Sequence, residues 1–203
     1  MGKLTQKILG KVNGAVGDIT FSEWNGQTVI KAKSEGSKSA PTPSQILVRE
    51  RFKEMTKLSN AFSQVIPLGF ESNEITAYNQ FRKVNNPFIT GTVGAFSTDY
   101  PKICLSQGKL ESLNSLAASV AGQAITVNWV FGNYGVGSDN ITIVVFNPAL
   151  NKAIVNSTSI RSGGTGTVTV PTLWTGQQAY VYIFSSNVNY KSASQFAGGV
   201  TVG

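Results

Sequence analysis

The sequence predicts a mainly β protein with an α-helical insert: an N-terminal β-hairpin and one or two helices precede a C-terminal β-sandwich of the immunoglobulin or fibronectin-III type. Three observations predict this class: a hairpin dipeptide, a segment of helical periodicity over residues 42–62, and short alternating segments from residue 88 onward. We expect residues 1–111 to hold the glycine-rich arm, the hairpin, the helices and the strands that follow them. Residues 112–203 are then the sandwich.

The hairpin is predicted over residues 18–33. Asn25-Gly26 tolerates the positive φ angles of a type I′ turn, and a two-residue loop fixes the register so that Trp24 faces Gln27. Alternation along the two strands then places four apolar side chains on one face: Ile19, Phe21, Ile30 and Ala32. We expect the helix that follows to cover this face.

That helix is predicted to begin at Pro43, because proline suits the first helical position and Thr42 and Gln45 form a capping pattern. Its apolar arc contains Val48, Phe52, Met55 and Phe62. Arg51 lies near this arc, so its aliphatic stem can be buried. We expect its guanidinium to meet a carboxylate of this chain or of a partner.

The opposite arc of the helix carries Arg49, Lys53 and Lys57 at intervals of four residues, beside Glu50 and Glu54. Two interpretations are open for this arc: a solvated face of local ion pairs, or a stripe that contacts phosphates. The candidate interaction residues of the N-terminal part are Trp24, Lys31, Lys33, Arg49, Arg51, Lys53 and Lys57.

A second helix is predicted from about residue 73 to residue 84, and after it the apolar period changes to two. The predicted strands are residues 88–96, 102–107, 124–131, 140–148, 152–158, 166–171 and 178–184. We expect about seven strands in the sandwich, with Trp129, Val145, Trp174 and Phe184 as core candidates. An exposed Trp174 would instead offer a ring for sugar binding, so it is also a candidate interaction residue.

The composition excludes the common kinds of catalytic site and metal site that need histidine or several cysteines. No histidine is present, which excludes nucleophilic Ser/His and Cys/His arrangements. The single cysteine, Cys104, excludes an internal disulfide and the usual Cys/His zinc site, and we expect a buried structural thiol. Asp139 is expected to stand alone in the sandwich. We therefore predict that the protein is not an enzyme and uses no cofactor or metal.

The first residues carry positive charge without the apolar stretch of a secretory signal, and no segment is apolar for long enough to span a membrane. We expect synthesis in the cytoplasm without a signal peptide.

Four motifs give the chain a family resemblance. The LGKVNGAVG stretch, the Trp24-Asn25-Gly26 hairpin, the APTPSQ segment at residues 40–45 and the VVFNP segment at residues 144–148 resemble an uncharacterised family, common in Bacteroidota, of chains about as long as this one. The resemblance covers nearly the whole chain and suggests an association with bacteriophages. It implies the fold given above and supplies no activity.

The first function that we predict is a structural subunit of a bacteriophage virion, in the capsid, its decoration or the tail, whose partners are other protein subunits, including copies of itself. The first alternative is a nucleic-acid-binding protein whose phosphate contacts are Lys3, Lys7, Lys11, Lys31, Lys33, Lys38, Arg49, Lys53 and Lys57. The second is a cell-surface adhesin that binds carbohydrate through Trp174 and the loop at residues 132–139.

Overall fold

The computed structural model describes residues 2–3, 13–24, 26–33, 40–71, 75–133 and 135–203. These residues belong to two compact units, Met1–Thr42 and Pro43–Gly203. Most of the glycine-rich arm, Asn25 and most of the linker before Pro43 lie outside the described residues. The described chain is mainly β, with several antiparallel sheets and a few helices.

The first unit is a four-stranded antiparallel sheet in the order β1-β4-β3-β2. Its strands are β1 (Gly2–Lys3), β2 (Gly14–Val16), β3 (Ile19–Trp24) and β4 (Gln27–Ala32). The predicted register is confirmed, since Trp24 pairs with Gln27 and Ile19 with Ala32. Gly26 has a φ of 76°, as a turn of positive φ requires.

Three helices and a hairpin open the second unit: α1 (Pro43–Ala61), α2 (Ile66–Gly69), α3 (Ala77–Asn85), β5 (Ile89–Thr92) and β6 (Ala95–Thr98). α1 begins at the predicted proline. α3 begins later than predicted, because the side chain of Thr76 caps the helix by accepting a hydrogen bond from the main-chain N–H of Asn79. Packing of α1 against the hairpin of the first unit stays a prediction.

In the described part of residues 112–203 the sandwich contains seven strands, in agreement with the number expected. They are β7 (Asn114–Ala121), β8 (Ala124–Val130), β9 (Asn140–Asn147), β10 (Lys152–Ile160), β11 (Thr165–Thr169), β12 (Gln178–Ser186) and β13 (Gln195–Thr201). They form one sheet in the order β10-β9-β12-β13 and a second in the order β11-β8-β7. Strands β7 and β13 were not predicted, because alanine and serine make up most of β7 and two adjacent glycines interrupt β13, and these residues signal strand only weakly.

The strand predicted over residues 102–107 is wrong. Side chains take the hydrogen bonds that a neighbouring strand would otherwise make: the N–H of Cys104 donates to Oδ1 of Asn85 at 2.7 Å, and the N–H of Leu105 donates to Oγ of Ser194 at 2.7 Å. The segment is thus fixed to α3 and to the chain before β13 without joining a sheet.

The helices and the sandwich share a hydrophobic core. Along β9, Ile143 and Val145 lie in the core between the two sheets, whereas Val144 and Phe146 lie in the core with the helices. The ring of Phe62, which follows α1, lies 4.8 Å from that of Phe146 between centroids. Because both faces of β9 are covered, its sequence is a continuous apolar run. The two compact units divide between Thr42 and Pro43, and the domain boundary expected after residue 111 stays a prediction.

Candidate functional site

The first unit presents an apolar sheet face on strands β2 to β4. Its cross-strand pairs are Val16 with Ile19, Ile19 with Ala32, and Phe21 with Ile30. The exposed fraction is 67% for Val16 and 45% for Ile19. Among the described residues of this unit, only Val29, on the opposite face, is buried. Phe21 and Ile30 are half-buried, so the part of this apolar face that is exposed among the described residues lies at Val16 and Ile19.

The opposite face of the same sheet holds two of the residues predicted from sequence. Trp24 and Lys31 lie on the same face of the sheet as Val29. Lys31 is two positions from Val29 along β4, and Trp24 is two positions along β3 from Ser22, which pairs with Val29. Trp24 is 65% exposed, and Lys31 and Lys33 are also exposed. The main-chain N–H of Lys33 donates to the carbonyl of Asp18 at 2.7 Å, which closes the end of the hairpin.

The outer face of α1 carries both signs of charge. Arg49, Lys53 and Lys57 are exposed, and Nζ of Lys57 lies 2.7 Å from Oε1 of Glu54. Oε2 of Glu50 accepts a hydrogen bond from the N–H of Gly94 at 2.8 Å. The carboxylates of Glu50 and Glu54 therefore lower the net positive charge of this arc, as expected for a solvated face of local ion pairs.

Arg51 lies elsewhere, in a cleft between α1 and α3 that we call the basic cleft. The described side chains that line it include Val48, Arg51, Phe52, Met55, Arg82 and Lys83. Arg51 is half-buried, and in the described part of the chain its buried Nε has no hydrogen-bond acceptor. The carboxylate partner that the sequence suggested is not provided by the described residues.

Trp174 cannot serve as a surface residue. Its side chain is 3% exposed and belongs to the core between the two sheets, with Trp129 and Val145. Phe184, the remaining core candidate, is buried on the helix side of its sheet. The interpretation of Trp174 as a sugar-binding ring is therefore wrong, and the interpretation as core is confirmed.

A buried ion network at one end of the sandwich was missed from sequence. Arg161 is fully buried, with Nε 3.4 Å from Oδ2 of Asp139 and Nη1 3.5 Å from Oε2 of Glu111. Its Nη2 donates to the main-chain carbonyl of Glu111, and to Oγ of Ser185 at 2.8 Å. The expectation that Asp139 stands alone is wrong.

The same network fixes two loops. Oε2 of Glu111 accepts a hydrogen bond from the N–H of Gly135 at 3.0 Å, and Oδ2 of Asp139 accepts one from the N–H of Val136 at 3.1 Å. Oδ1 of Asp139 accepts one from Nδ2 of Asn187 at 3.1 Å, which joins the loop between β12 and β13. A signal was present in the sequence: Asp139 directly precedes one predicted strand and Arg161 follows another, in a region with few charges.

The clearest pKa shifts among the described residues belong to Tyr100, Cys104 and Tyr182, and each shift raises the pKa further above neutral pH. Burial raises the pKa of the Cys104 thiol, which keeps the sulfur protonated and poorly nucleophilic. Burial is also the main cause of the raised pKa values of Tyr100 and Tyr182. Within the described ranges, no three side chains of the metal-ligating types His, Cys, Asp and Glu come together.

None of the helices in the described part of the chain combines the length and the apolar character that crossing a membrane requires.

A family model matches residues 10–198, which is most of the chain. The chain belongs to DUF6266. This is a family of unknown function, so membership in DUF6266 agrees with the resemblance to an uncharacterised family and assigns no activity. None of the functionally characterised proteins compared with the chain matches it significantly in sequence.

Among solved structures, the chain is similar to the spore cortex lytic enzyme SleM of Clostridium perfringens, at 11% identity. The match covers 52% of this chain and 36% of that enzyme, with a TM-score of 0.28. A similarity of this size supports no conclusion about activity.

Proposed function

We propose that this protein is a non-enzymatic structural subunit that assembles with other subunits through the apolar sheet face of its first unit. The observation that carries the proposal is the exposure of Val16 and Ile19 beside Phe21 and Ile30, in a sheet with a single buried residue among those described. Contiguous exposed apolar patches mark protein–protein interaction sites.

The size of the first unit strengthens this argument. Units of about 40 residues seldom bury enough apolar surface to be stable alone, and disulfides, metals or association usually complete them. The chain has one cysteine and no histidine, which rules out an internal disulfide and the usual Cys/His zinc site, and we propose that association completes the unit. Full burial of an exposed Val or Ile side chain contributes about 1.5 to 3 kcal/mol, so covering Val16 and Ile19 in an interface is worth several times the thermal energy.

The assembly that we propose is a bacteriophage particle. A sandwich with ordered end loops, joined to a small sheet that requires a neighbour, suits a subunit with an anchoring part and a surface module. Mass spectrometry of particles purified from the source phage, or from an induced culture, tests this step. The polypeptide is expected in stoichiometric amounts, and its absence from the particles contradicts the assignment.

The interface itself is tested by two aspartate substitutions in neighbouring positions of β3. Ile19→Asp places a charge on the apolar sheet face, whereas Thr20→Asp places the same charge on the opposite face. We expect the purified full chain to be a discrete multimer, Ile19→Asp to reduce its solution mass, and Thr20→Asp to leave the mass unchanged. Equal effects of the two variants would contradict an interface on this face.

Nucleic-acid binding is the competing function, and the same samples separate the two. If the basic residues bind phosphate backbone, the peak carries nucleic-acid absorbance that disappears as the salt concentration rises. The structural proposal expects a peak free of nucleic acid, because Glu50 and Glu54 reduce the positive charge of α1.

A further inference from the structure

The basic cleft between α1 and α3 combines an apolar floor with three cations. Its volume is about 640 Å³, and both helices belong to the second unit. Val48 and Phe52 are 67% and 56% exposed, although both lie on the apolar arc of α1. Met55, which lies further along the same arc, is buried. The core therefore covers the second half of α1, and the first half extends beyond the core.

The cations in the cleft lack counter-charges. Among the described residues that line it there is no carboxylate, and Arg51, Arg82 and Lys83 form no ion pair in the part of the chain that the structure describes. Nε of Arg82 donates to Oγ of Ser59 at 3.4 Å, and its guanidinium lies 5.1 Å from the ring centroid of Phe52.

Arg51 indicates the kind of group that is missing. Its Nε is buried without an acceptor among the described residues, and a buried donor left without a partner is costly. A carboxylate is the acceptor that suits a guanidinium best, because two parallel N–H···O bonds form and both are charge-assisted. Arg82, with a planar guanidinium on the same cleft, can hold a second carboxylate.

We propose that the basic cleft binds an acidic, apolar peptide segment of a partner protein, in which carboxylates alternate with large aliphatic side chains. The carboxylates pair with Arg51, Arg82 and Lys83, and the aliphatic groups cover Val48 and Phe52. This surface is distinct from the apolar sheet face, so the inference does not depend on the proposed function.

A peptide suits the cleft better than a nucleic acid does. Single-stranded nucleic acids bind by stacking bases on free aromatic faces along a charged track. Here the guanidinium of Arg82 already lies over Phe52, and the cations converge on one cleft instead of following a line. The exposed Val48 and the buried Met55 at its floor offer nothing to a phosphate.

Fluorescence anisotropy tests the proposal with the full chain. The probe is a fluorescein-labelled peptide of alternating leucine and aspartate, compared with a leucine–lysine peptide of the same length and with labelled oligothymidine. We expect the acidic peptide alone to bind. Arg51→Gln should weaken its affinity about tenfold, the effect of losing a charge-assisted hydrogen bond. Arg49→Gln, on the outer face of the same helix, should change it less than about twofold.

The fold of each variant is checked by circular dichroism, and exposed Lys83→Gln replaces Arg51→Gln if the latter does not fold. Three outcomes overturn the proposal: no binding of the acidic peptide, equal loss in Arg49→Gln and Arg51→Gln, or binding of oligothymidine that Arg51→Gln abolishes. A change in the solution mass of Arg51→Gln without peptide would also overturn it, since the occupant is then a second copy of this chain.

Discussion

Replacing Arg161 by methionine tests whether the buried ion network stabilises the sandwich end. Methionine keeps much of the length and volume of the arginine stem and removes the cation. The Asp139 carboxylate, 2% exposed, then keeps its hydrogen bonds from Val136 and Asn187 but has lost a guanidinium at 3.4 Å. The Ser185 hydroxyl also loses its donor.

The expected cost follows from this geometry. Breaking a buried ion pair by removing one partner destabilises a protein by about 3 to 5 kcal/mol, because the other charge stays buried without compensation. Asp139→Asn in the same chain removes that charge, so the double variant should lose less than the sum of the single losses. We expect a coupling energy of about 1 to 3 kcal/mol between the two positions.

Urea unfolding at neutral pH measures these differences. A Trp24→Phe background leaves Trp129 and Trp174, both in the core between the two sheets, as the fluorescent reporters. The transition then reports on the second unit alone. A loss for Arg161→Met within about 0.5 kcal/mol, the range of ordinary surface substitutions, would refute the reasoning.

Two further predictions concern the second unit. Gly69→Ala should lower its stability by about 1 to 3 kcal/mol, because the added methyl group would overlap the main-chain carbonyl of Leu105; Gly163→Ala, whose methyl group would meet no atom closer than 4.0 Å, is the control in the same urea series. Tyr182→Phe should cost about 1 kcal/mol at neutral pH, since the Tyr182 hydroxyl donates to the carbonyl of Tyr100 at 2.8 Å. Burial holds the pKa of Tyr182 in the folded chain above its ordinary 10.0, so the contribution of its protonated phenol is complete below pH 10.0 and is lost at higher pH, as unfolding releases the proton. Above that pH the wild-type protein should lose up to about 1.4 kcal/mol per pH unit more than the phenylalanine variant, and parallel pH profiles would contradict this.

Elements with strong local signals were predictable. The hairpin register followed from Asn25-Gly26 and strand alternation, and α1 followed from its proline and apolar arc. The second helix was predicted, but its first residue was not. The helix begins after the cap at Thr76, and the residues before Thr76 also fit a helical pattern in the sequence.

Features that depend on contacts between distant segments were not predictable in this way. The segment at residues 102–107 alternates like a strand, yet Asn85 and Ser194 take its hydrogen bonds. Likewise, β9 is apolar on both faces because the helices cover the face that does not meet the second sheet. From the sequence, those helices were assigned to the other domain.

The candidate residues divide according to their surroundings. Exposure of Trp24, Arg49, Lys53 and Lys57 agrees with their sequence pattern. Trp174 could be core or surface until the sheets were placed. The positions of Asp139 and Arg161 beside predicted strands are a weak signal for the ion network, but the pairing itself depends on loops that meet only in the folded chain.

The most direct test of the central claim is the solution mass of the unmodified full chain, by light scattering after size exclusion at low and high salt, with nucleic-acid absorbance read on the same peak. Assembly through the apolar sheet face predicts a discrete multimer, free of nucleic acid, whose mass persists at high salt because apolar contacts are not screened. A monomer at both salt concentrations would contradict the claim, and so would a monomer that carries nucleic acid at low salt and releases it at high salt.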